Sequence, residues 1–220
     1  MTYLSVIFDL DGTLIDSEPV FKIVAKLAAK EFHQCFTDEL YLDLVGLPGI
    51  EVESGIRDAF GQNFPMEEFR DSFAMHWEQH VGKHGIAIKS GALDVVDRLD
   101  ELGVVYAIAT STPHNRALQS LQLAGLENRF KYVIGGDQIE RGKPAPDIYL
   151  LAAKTIATEP NRCIAIEDSK VGVRAAAAAK MYTIMIPDIK AADANTRALA
   201  TEILPSMDAA TDRIVSLLSY

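Results

Sequence analysis

Five short runs of the chain are apolar almost throughout: residues 3–8 (YLSVIF), 104–109 (VVYAIA), 132–134 (YVI), 163–166 (CIAI) and 182–186 (YTIMI). None alternates strictly between apolar and polar positions, the pattern of parallel strands buried on both faces. Between the later runs the apolar positions recur at helical spacing, over about 92–102, 114–124, 146–155 and 171–179. Gly103 and Gly125 stand just past the first two of these, where a helix C-terminal cap belongs. The alanine-rich stretch from Arg174 to Lys180 reads as a helix packing tightly on a sheet. Strand and helix in alternation predict an open, doubly wound α/β sheet of the Rossmann-like kind.

One long stretch breaks the alternation. Between the first strand and Ala92 no convincing strand occurs, and helices are predicted over about 19–32, 37–44, 50–60 and 65–80. Thr37 suits an N-cap, with Asp38 and Glu39 favourable in the first turn. Leu40 stands where a capping box wants Glu or Gln, so the full box is absent. Pro65 suits a first helical turn, Glu67 and Glu68 favour its dipole, and Gly82 is expected to fray this helix before His84. The segment is too long for a crossover. It is expected to be an all-helical domain, residues 16–86, inserted into an α/β core made of residues 1–15 and 87–220. Residues 15–18 and 84–90 would be its hinges.

Composition narrows the partners. The 220 residues are 49% hydrophobic and 24% charged, with a net charge of −10 and no tract rich in Lys or Arg. Nucleic acid and anionic membranes are not expected as partners, because phosphate-rich surfaces are bound by basic ones. A small anionic substrate remains compatible, since one lysine and a few N–H groups can hold a phosphate. The two cysteines, Cys35 and Cys163, lack metal-ligand spacing. With Cys163 in an apolar run, they fit a reducing cytosol rather than a disulfide framework. No secretory leader pattern and no apolar run of about 18 residues occurs. A cytoplasmic monomer is expected.

In an open α/β sheet, ligands bind beyond the carboxyl ends of the strands. The residues just past each predicted strand are therefore informative. Asp9, Asp11 and Thr13 come after the first, Thr110 and Ser111 after the second, and Glu167, Asp168 and Ser169 after the fourth; Lys143 lies in the loop after the third. Carboxylates gathered on an apolar sheet repel one another, and a hard divalent cation with oxygen ligands relieves the conflict. Mg²⁺ beside a phosphate, with Lys143 and hydroxyls on the phosphate oxygens, is the chemistry these residue types suit.

The stretch DLDGTLIDSE, from Asp9 to Glu18, then Thr110, Lys143 and the EDS of Glu167–Asp168–Ser169 together resemble the four motifs of the haloacid dehalogenase superfamily. The likeness is to the branch similar to beta-phosphoglucomutase, and it covers essentially the whole chain. It implies that Asp9 is the nucleophile, forming an aspartyl-phosphate, and that Asp11 is the general acid and base. It implies phosphate binding by Thr110, Ser111 and Lys143. It implies Mg²⁺ held by Asp9, the Asp11 carbonyl, Glu167 and Asp168. The helical insertion corresponds to a cap that closes over the substrate.

Within that resemblance the expected activity is hydrolysis of small phosphomonoesters, sugar phosphates in the first place. The dehalogenase members lack the second aspartate, which Asp11 supplies here. The mutases carry a histidine in the first cap helix, where this chain has Phe21, and basic residues in a cap loop that here runs from Leu44 to Val52 with neither Arg nor Lys. A mutase remains the alternative reading. His76, His80 and His84 fall at helical spacing, but nothing completes a metal set around them, and they read as helix surface. Trp77 is expected to pack within the helical domain.

Overall fold

In a computed structural model of the chain, which describes residues 3–47 and 49–218, two compact units are found: Met1–Ile15 with Ala87–Tyr220, and Asp16–Ile86.

The first unit is built on a six-stranded sheet, numbered here along the chain: β1 (Ser5–Phe8), β2 (Val105–Ala109), β3 (Val133–Ile134), β4 (Cys163–Glu167), β5 (Tyr182–Met185) and β6 (Glu202–Ile203). All neighbours are parallel and their order is β3-β2-β1-β4-β5-β6. That is the doubly wound Rossmann-like order, in which the winding reverses between β1 and β4. β1 pairs on both sides, Ile7 opposite Ala107 of β2 and Ala165 of β4. Val6, Ile7 and Phe8 are fully buried. Small residues let the covering helices come close: Ala175 and Ala176 of the helix Lys170–Ala178, and Ala152 and Ala153 of the helix Asp147–Thr155, pack with Ile7, Ala107 and Ala165 in one apolar cluster. The helices Ala92–Glu101 and Met207–Leu218 pack on each other.

The strand-and-helix alternation is therefore as the apolar pattern predicts, with one strand more. β6 has only two half-buried residues, one of them a glutamate. Its place is fixed by pairing, Leu204 N donating to Met185 O at 2.9 Å and Thr201 N to Thr183 O at 2.8 Å, so no local period marks it. The helix Ala194–Leu199, capped by Asp193 accepting from Thr196 N at 2.8 Å, carries no apolar period either. Two further two-residue strands, Ile15–Asp16 and Ala87–Ile88, form a separate ribbon.

The second unit is helical: Glu18–Glu31, Asp38–Leu44, Gly49–Phe60 and Met66–His84. The first and last pack along each other through Ala25, Ala28 and Ala29, all buried. Edge-on aromatic contacts fill the centre, with Phe64 5.5 Å from Phe32, 5.0 Å from Phe60 and 5.5 Å from Phe69. Phe21 lies in a neighbouring aromatic group, 5.1 Å from Phe73, and Trp77 stacks on Phe73 at 6.1 Å. Glu31 joins the two long helices, accepting from Ser72 Oγ at 2.5 Å and bonded to His76 Nε2 at 2.8 Å. Thr37 caps the second helix, its Oγ1 accepting from Leu40 N at 3.1 Å.

The last helix does not fray at Gly82. It continues through His84 and stops at Gly85, whose φ of +70° with ψ of −169° is an extended, positive-φ conformation that glycine adopts and other residues rarely do. A glycine inside a helix costs only about 1 kcal/mol, and the buried Val81 anchors the turn that carries it.

Candidate active site

The reversal of winding opens a crevice at the carboxyl ends of β1 and β4, and the acidic residues meet there. Asp9 leaves β1 directly, its backbone N–H still donating to Ile166 O at 2.9 Å. Glu167 is the last residue of β4 and Asp168 the next. Ligand oxygens of Asp9, Glu167 and Asp168 lie within 4.8 Å of one another. Lys143 enters from the segment between β3 and the helix Asp147–Thr155. Its Nζ donates to Asp9 Oδ1 at 2.5 Å and to Glu167 Oε1 at 2.6 Å. All of this happens nearly out of water: Asp9 and Lys143 are 7% exposed and Glu167 0%.

Glu167 is the most heavily bonded member. Besides Lys143, its Oε1 accepts from Tyr149 Oη at 2.6 Å, and its Oε2 accepts from Ser169 Oγ at 3.1 Å and Ser169 N at 3.3 Å. Ser169 Oγ in turn accepts from Gly172 N at 3.1 Å and so caps the helix that begins at Lys170. Gly172 must be glycine, because a Cβ there would fall 1.8 Å from Glu167 Oε1. Gly12 is fixed in the same way. Its φ is +84°, and a Cβ would lie 2.5 Å from Asp168 Oδ2. Thr13 Oγ1 donates to Asp168 Oδ1 at 3.5 Å.

The charge balance is uneven: three carboxylates, Asp9 and Glu167 buried and Asp168 partly so, face one ammonium. Burial works against the Lys143 ammonium, but the charges of Asp9 and Glu167 outweigh it and hold Lys143 above its ordinary range. The surplus falls on the acids. Burial pushes Asp9 up, with Glu167 adding repulsion and Lys143 opposing it; burial and then the charges of Asp9 and Glu167 push Asp168 well up. A largely buried group of oxygen donors with two negative charges too many is a site that a hard divalent cation fits.

Thr110, Ser111 and Asp11 also lie just past the carboxyl ends of their strands. Thr110 comes directly after β2, is 1% exposed, and accepts from Thr112 N through Oγ1 at 3.1 Å. Ser111 beside it is exposed. Asp11 accepts a hydrogen bond from Thr112 Oγ1 at 2.8 Å. Asp147 serves its own helix start, held below the usual carboxylate range by its hydrogen bonds with Arg141. Within the helical unit, Glu18 accepts from Tyr41 Oη at 2.7 Å.

Three residues of this end escape a sequence reading. Thr112 is the third hydroxyl of the run Thr110–Ser111–Thr112, and only its contact distinguishes it. Tyr149 is an aromatic inside a helix, the normal signature of core. Asp188 lies just past β5 and pairs with Lys89 Nζ at 2.7 Å, beside a cavity of about 190 Å³ also lined by Gly12, Thr13 and Ser206. The strand-end rule, applied to the fifth strand, would have found it.

A Rossmann-like sheet with a carboxylate-and-lysine centre at its switch point, and a helical unit inserted after β1, defines the class as a hydrolase on an α/β core. The chain belongs to the haloacid dehalogenase-like hydrolase family, whose model matches residues 6–186. It is 32% identical over 181 residues to the phosphorylated carbohydrates phosphatase of Thermotoga maritima, covering 82% of this chain and 83% of that one. It is 28% identical over 190 residues to the fructose-1-phosphate phosphatase of Escherichia coli K12, covering 83% and 95%. Among solved structures it is similar to a Thermotoga maritima protein provisionally described as a beta-phosphoglucomutase, with a TM-score of 0.77 at 27% identity over 98% of both chains.

Proposed function

We propose that this phosphoric monoester hydrolase is an Mg²⁺-dependent phosphatase of small sugar phosphates that works through an aspartyl-phosphate on Asp9. The observation that carries the reading is the Asp9 carboxylate at the tip of β1, held by Lys143 at 2.5 Å beside Asp168 and Glu167, with Asp11 two residues on. The relatives that act on phosphorylated carbohydrates and fructose 1-phosphate support the substrate class.

An Asp9 oxygen attacks phosphorus as the bond from phosphorus to the leaving oxygen breaks, and Asp11 gives that oxygen its proton. Water then attacks the aspartyl-phosphate, Asp11 takes the water's proton, and the bond from Asp9 to phosphorus breaks. Lys143, the Thr110 hydroxyl and the Ser111 backbone hold the phosphoryl oxygens as charge develops on them. Asp9, Asp168 and the Asp11 carbonyl, with Glu167 as the remaining carboxylate of the set, would hold Mg²⁺, which supplies positive charge to the phosphate when bound. The four hydrogen bonds on Glu167 favour a role as the anchor of Lys143.

Residues 16–86 are proposed as the cap, and substrate choice is assigned to them. The stretch from Leu44 to Val52, which runs into the third helix, has no Arg or Lys, and Phe21 packs on Phe73. A grip for a second phosphate is therefore wanting, and hydrolysis is favoured over a mutase. No described helix is long and apolar enough to cross a membrane, and both cysteines are unpaired. A cytoplasmic location is proposed from the free thiols, and a monomer because a cap can close the site within one chain.

The test is phosphate release from a panel of sugar phosphates with Mg²⁺, the Asp9→Asn variant serving as control. Release by the wild type alone is expected. Conversion of glucose 1-phosphate to glucose 6-phosphate without release would establish the mutase instead.

A further inference from the structure

Asp11 has to do two things in turn, and its side chain has two rotatable bonds with which to miss. What fixes it lies in the loop just past the neighbouring strand, β2. Thr112 Oγ1 donates to Asp11 Oδ2 at 2.8 Å, across 101 residues of sequence. Thr112 is itself immobilised. Its N–H donates to Thr110 Oγ1 at 3.1 Å, and its carbonyl accepts from Gly136 N at 3.0 Å. The segment around it lies hard against the turn after β3: a Cβ on Gly136 would fall 2.3 Å from Ser111 O, and one on Gly135 2.2 Å from His114 N. His114 N donates to Asp137 Oδ1 at 2.7 Å and closes the loop. The Thr112 hydroxyl thus sits on a braced backbone and points at the carboxylate.

Resting on the assignment of Asp11 as the acid–base group, we propose that Thr112 is its positioning residue: the hydroxyl holds Oδ2 so that Oδ1 is the oxygen that carries and passes the proton. A hydroxyl can donate to Oδ2 in both states of the acid, as carboxylate oxygen or as the carbonyl oxygen of the protonated form. Thr112 therefore keeps its own proton throughout. In the first step the proton on Asp11 Oδ1 moves to the leaving oxygen while the bond from Asp9 to phosphorus forms and the bond from phosphorus to that oxygen breaks. In the second, the attacking water returns a proton to Oδ1 while that bond breaks. Losing the positioning hydroxyl leaves the acid present but wandering, and sub-ångström placement is what such supporting contacts provide.

The experiment compares Thr112→Val, which keeps the shape and loses the hydroxyl, with Thr112→Ser, which keeps the hydroxyl, alongside Asp11→Asn and the wild type. Each is assayed on a hexose phosphate, whose alkoxide needs a proton to leave, and on p-nitrophenyl phosphate, whose phenolate does not. Melting temperatures confirm folding. On the hexose phosphate, Thr112→Val is expected to lose about tenfold in kcat, part of the roughly 10²- to 10⁴-fold that general acid–base catalysis supplies. KM should stay within about twofold, and Thr112→Ser should regain wild-type kcat within about threefold. The pre-steady-state burst of nitrophenolate should be unchanged in Thr112→Val. Wild-type kcat in Thr112→Val, with Asp11→Asn inactive, overturns the role of Thr112 and leaves the phosphatase reading standing. Equal losses in the Val and Ser variants, or a burst slowed as much as hexose phosphate turnover, also overturn it. Wild-type kcat in Asp11→Asn would instead remove Asp11 as the acid–base group, and the reading of the site with it.

Discussion

Lys143 Nζ meets Asp9 Oδ1 at 2.5 Å, although 134 residues separate them in sequence. The contact joins the tip of β1 to the loop beyond β3, and the same ammonium reaches Glu167 at the end of β4. One cation therefore ties together the ends of the strands that flank the switch point. It is the only positive charge hydrogen-bonded to those buried carboxylates among the described contacts.

Removing that charge should be costly twice over. Lys143→Met keeps the bulk of the stem and strands Asp9 and Glu167 without their counter-ion. Removing one partner of a buried ion pair costs about 3–5 kcal/mol, which for a chain of this size lowers the melting temperature by roughly 10 °C. Thermal melts in EDTA read this loss, and Mg²⁺ should recover part of it by supplying positive charge. Activity should fall by about 10²-fold or more if the same ammonium meets the charge that develops on phosphate, as proposed. A variant that melts and turns over like the wild type would dismiss Lys143 from both tasks.

The acids predict how stability depends on pH, and the sign is unusual. Burial raises Asp9 to about 8 and pushes Asp168 well above its ordinary range, helped by mutual repulsion with Glu167. In the unfolded chain both titrate near their ordinary value, about 4. Between those limits the ion-free folded protein retains protons that the unfolded chain has released. Stability from these groups is thus fully present below about pH 4 and is lost as pH rises towards 8. Surface acids act the other way. Asp193, held low by the Thr196 N–H and Lys170, and Asp38, held low by Lys26 and Lys22, withdraw their contribution only in acid. Melts in EDTA should therefore fall from pH 5 to pH 8. Divalent cation competes with the protons, so the stabilisation by Mg²⁺ should grow over the same range. A melting temperature that is flat with pH, or equally raised by Mg²⁺ at both ends, would contradict the clustered acids.

Much of this is written locally. The strand-end residues Asp9, Thr110 and Asp168 are legible because parallel strands are apolar runs, and the residues just past such runs share one edge of the sheet. Helix caps such as Thr37 and Gly103 are local too, fixed by one or two residues. Pairing over distance is not legible. Glu167 looks like Asp168 in sequence, yet it is the fully buried hub of Lys143, Tyr149 and Ser169, which only the packed structure shows. Tyr149 reads as core because its ring is core, and its hydroxyl speaks only through its partner. β6 has too few residues to express a period, and its identity comes from the neighbour it pairs with. Gly82 reads as a break in a helix because propensity is local, whereas the packing of Val81 that carries the helix past it is not.

Two glycines separate local from packed constraint in a single experiment. Gly82 lies within the helix Met66–His84, and a Cβ there would meet nothing within 4 Å. Gly82→Ala should stabilise by about 0.5–1 kcal/mol, because the unfolded chain loses freedom and the helix gains a better former. Gly172 also lies within a helix, Lys170–Ala178, and on propensity alone should behave alike. It cannot, since a Cβ would stand 1.8 Å from Glu167 Oε1, 1.9 Å from Cδ and 2.1 Å from Oε2. Glu167 would have to leave its place, and it is fully buried, so its bonds to Lys143, Tyr149 and Ser169 break together with no water to replace them. Gly172→Ala should therefore destabilise by about 2 kcal/mol or more, the cost of buried polar groups left unsatisfied. It should also lower kcat through the displaced Lys143. Paired melts and phosphate release decide the matter. Opposite signs for the two alanines mean that Glu167 is held where the helix backbone comes nearest to the site, while a Gly172→Ala variant as stable and active as the wild type would mean that Glu167 has a second position of equal energy and does not anchor Lys143.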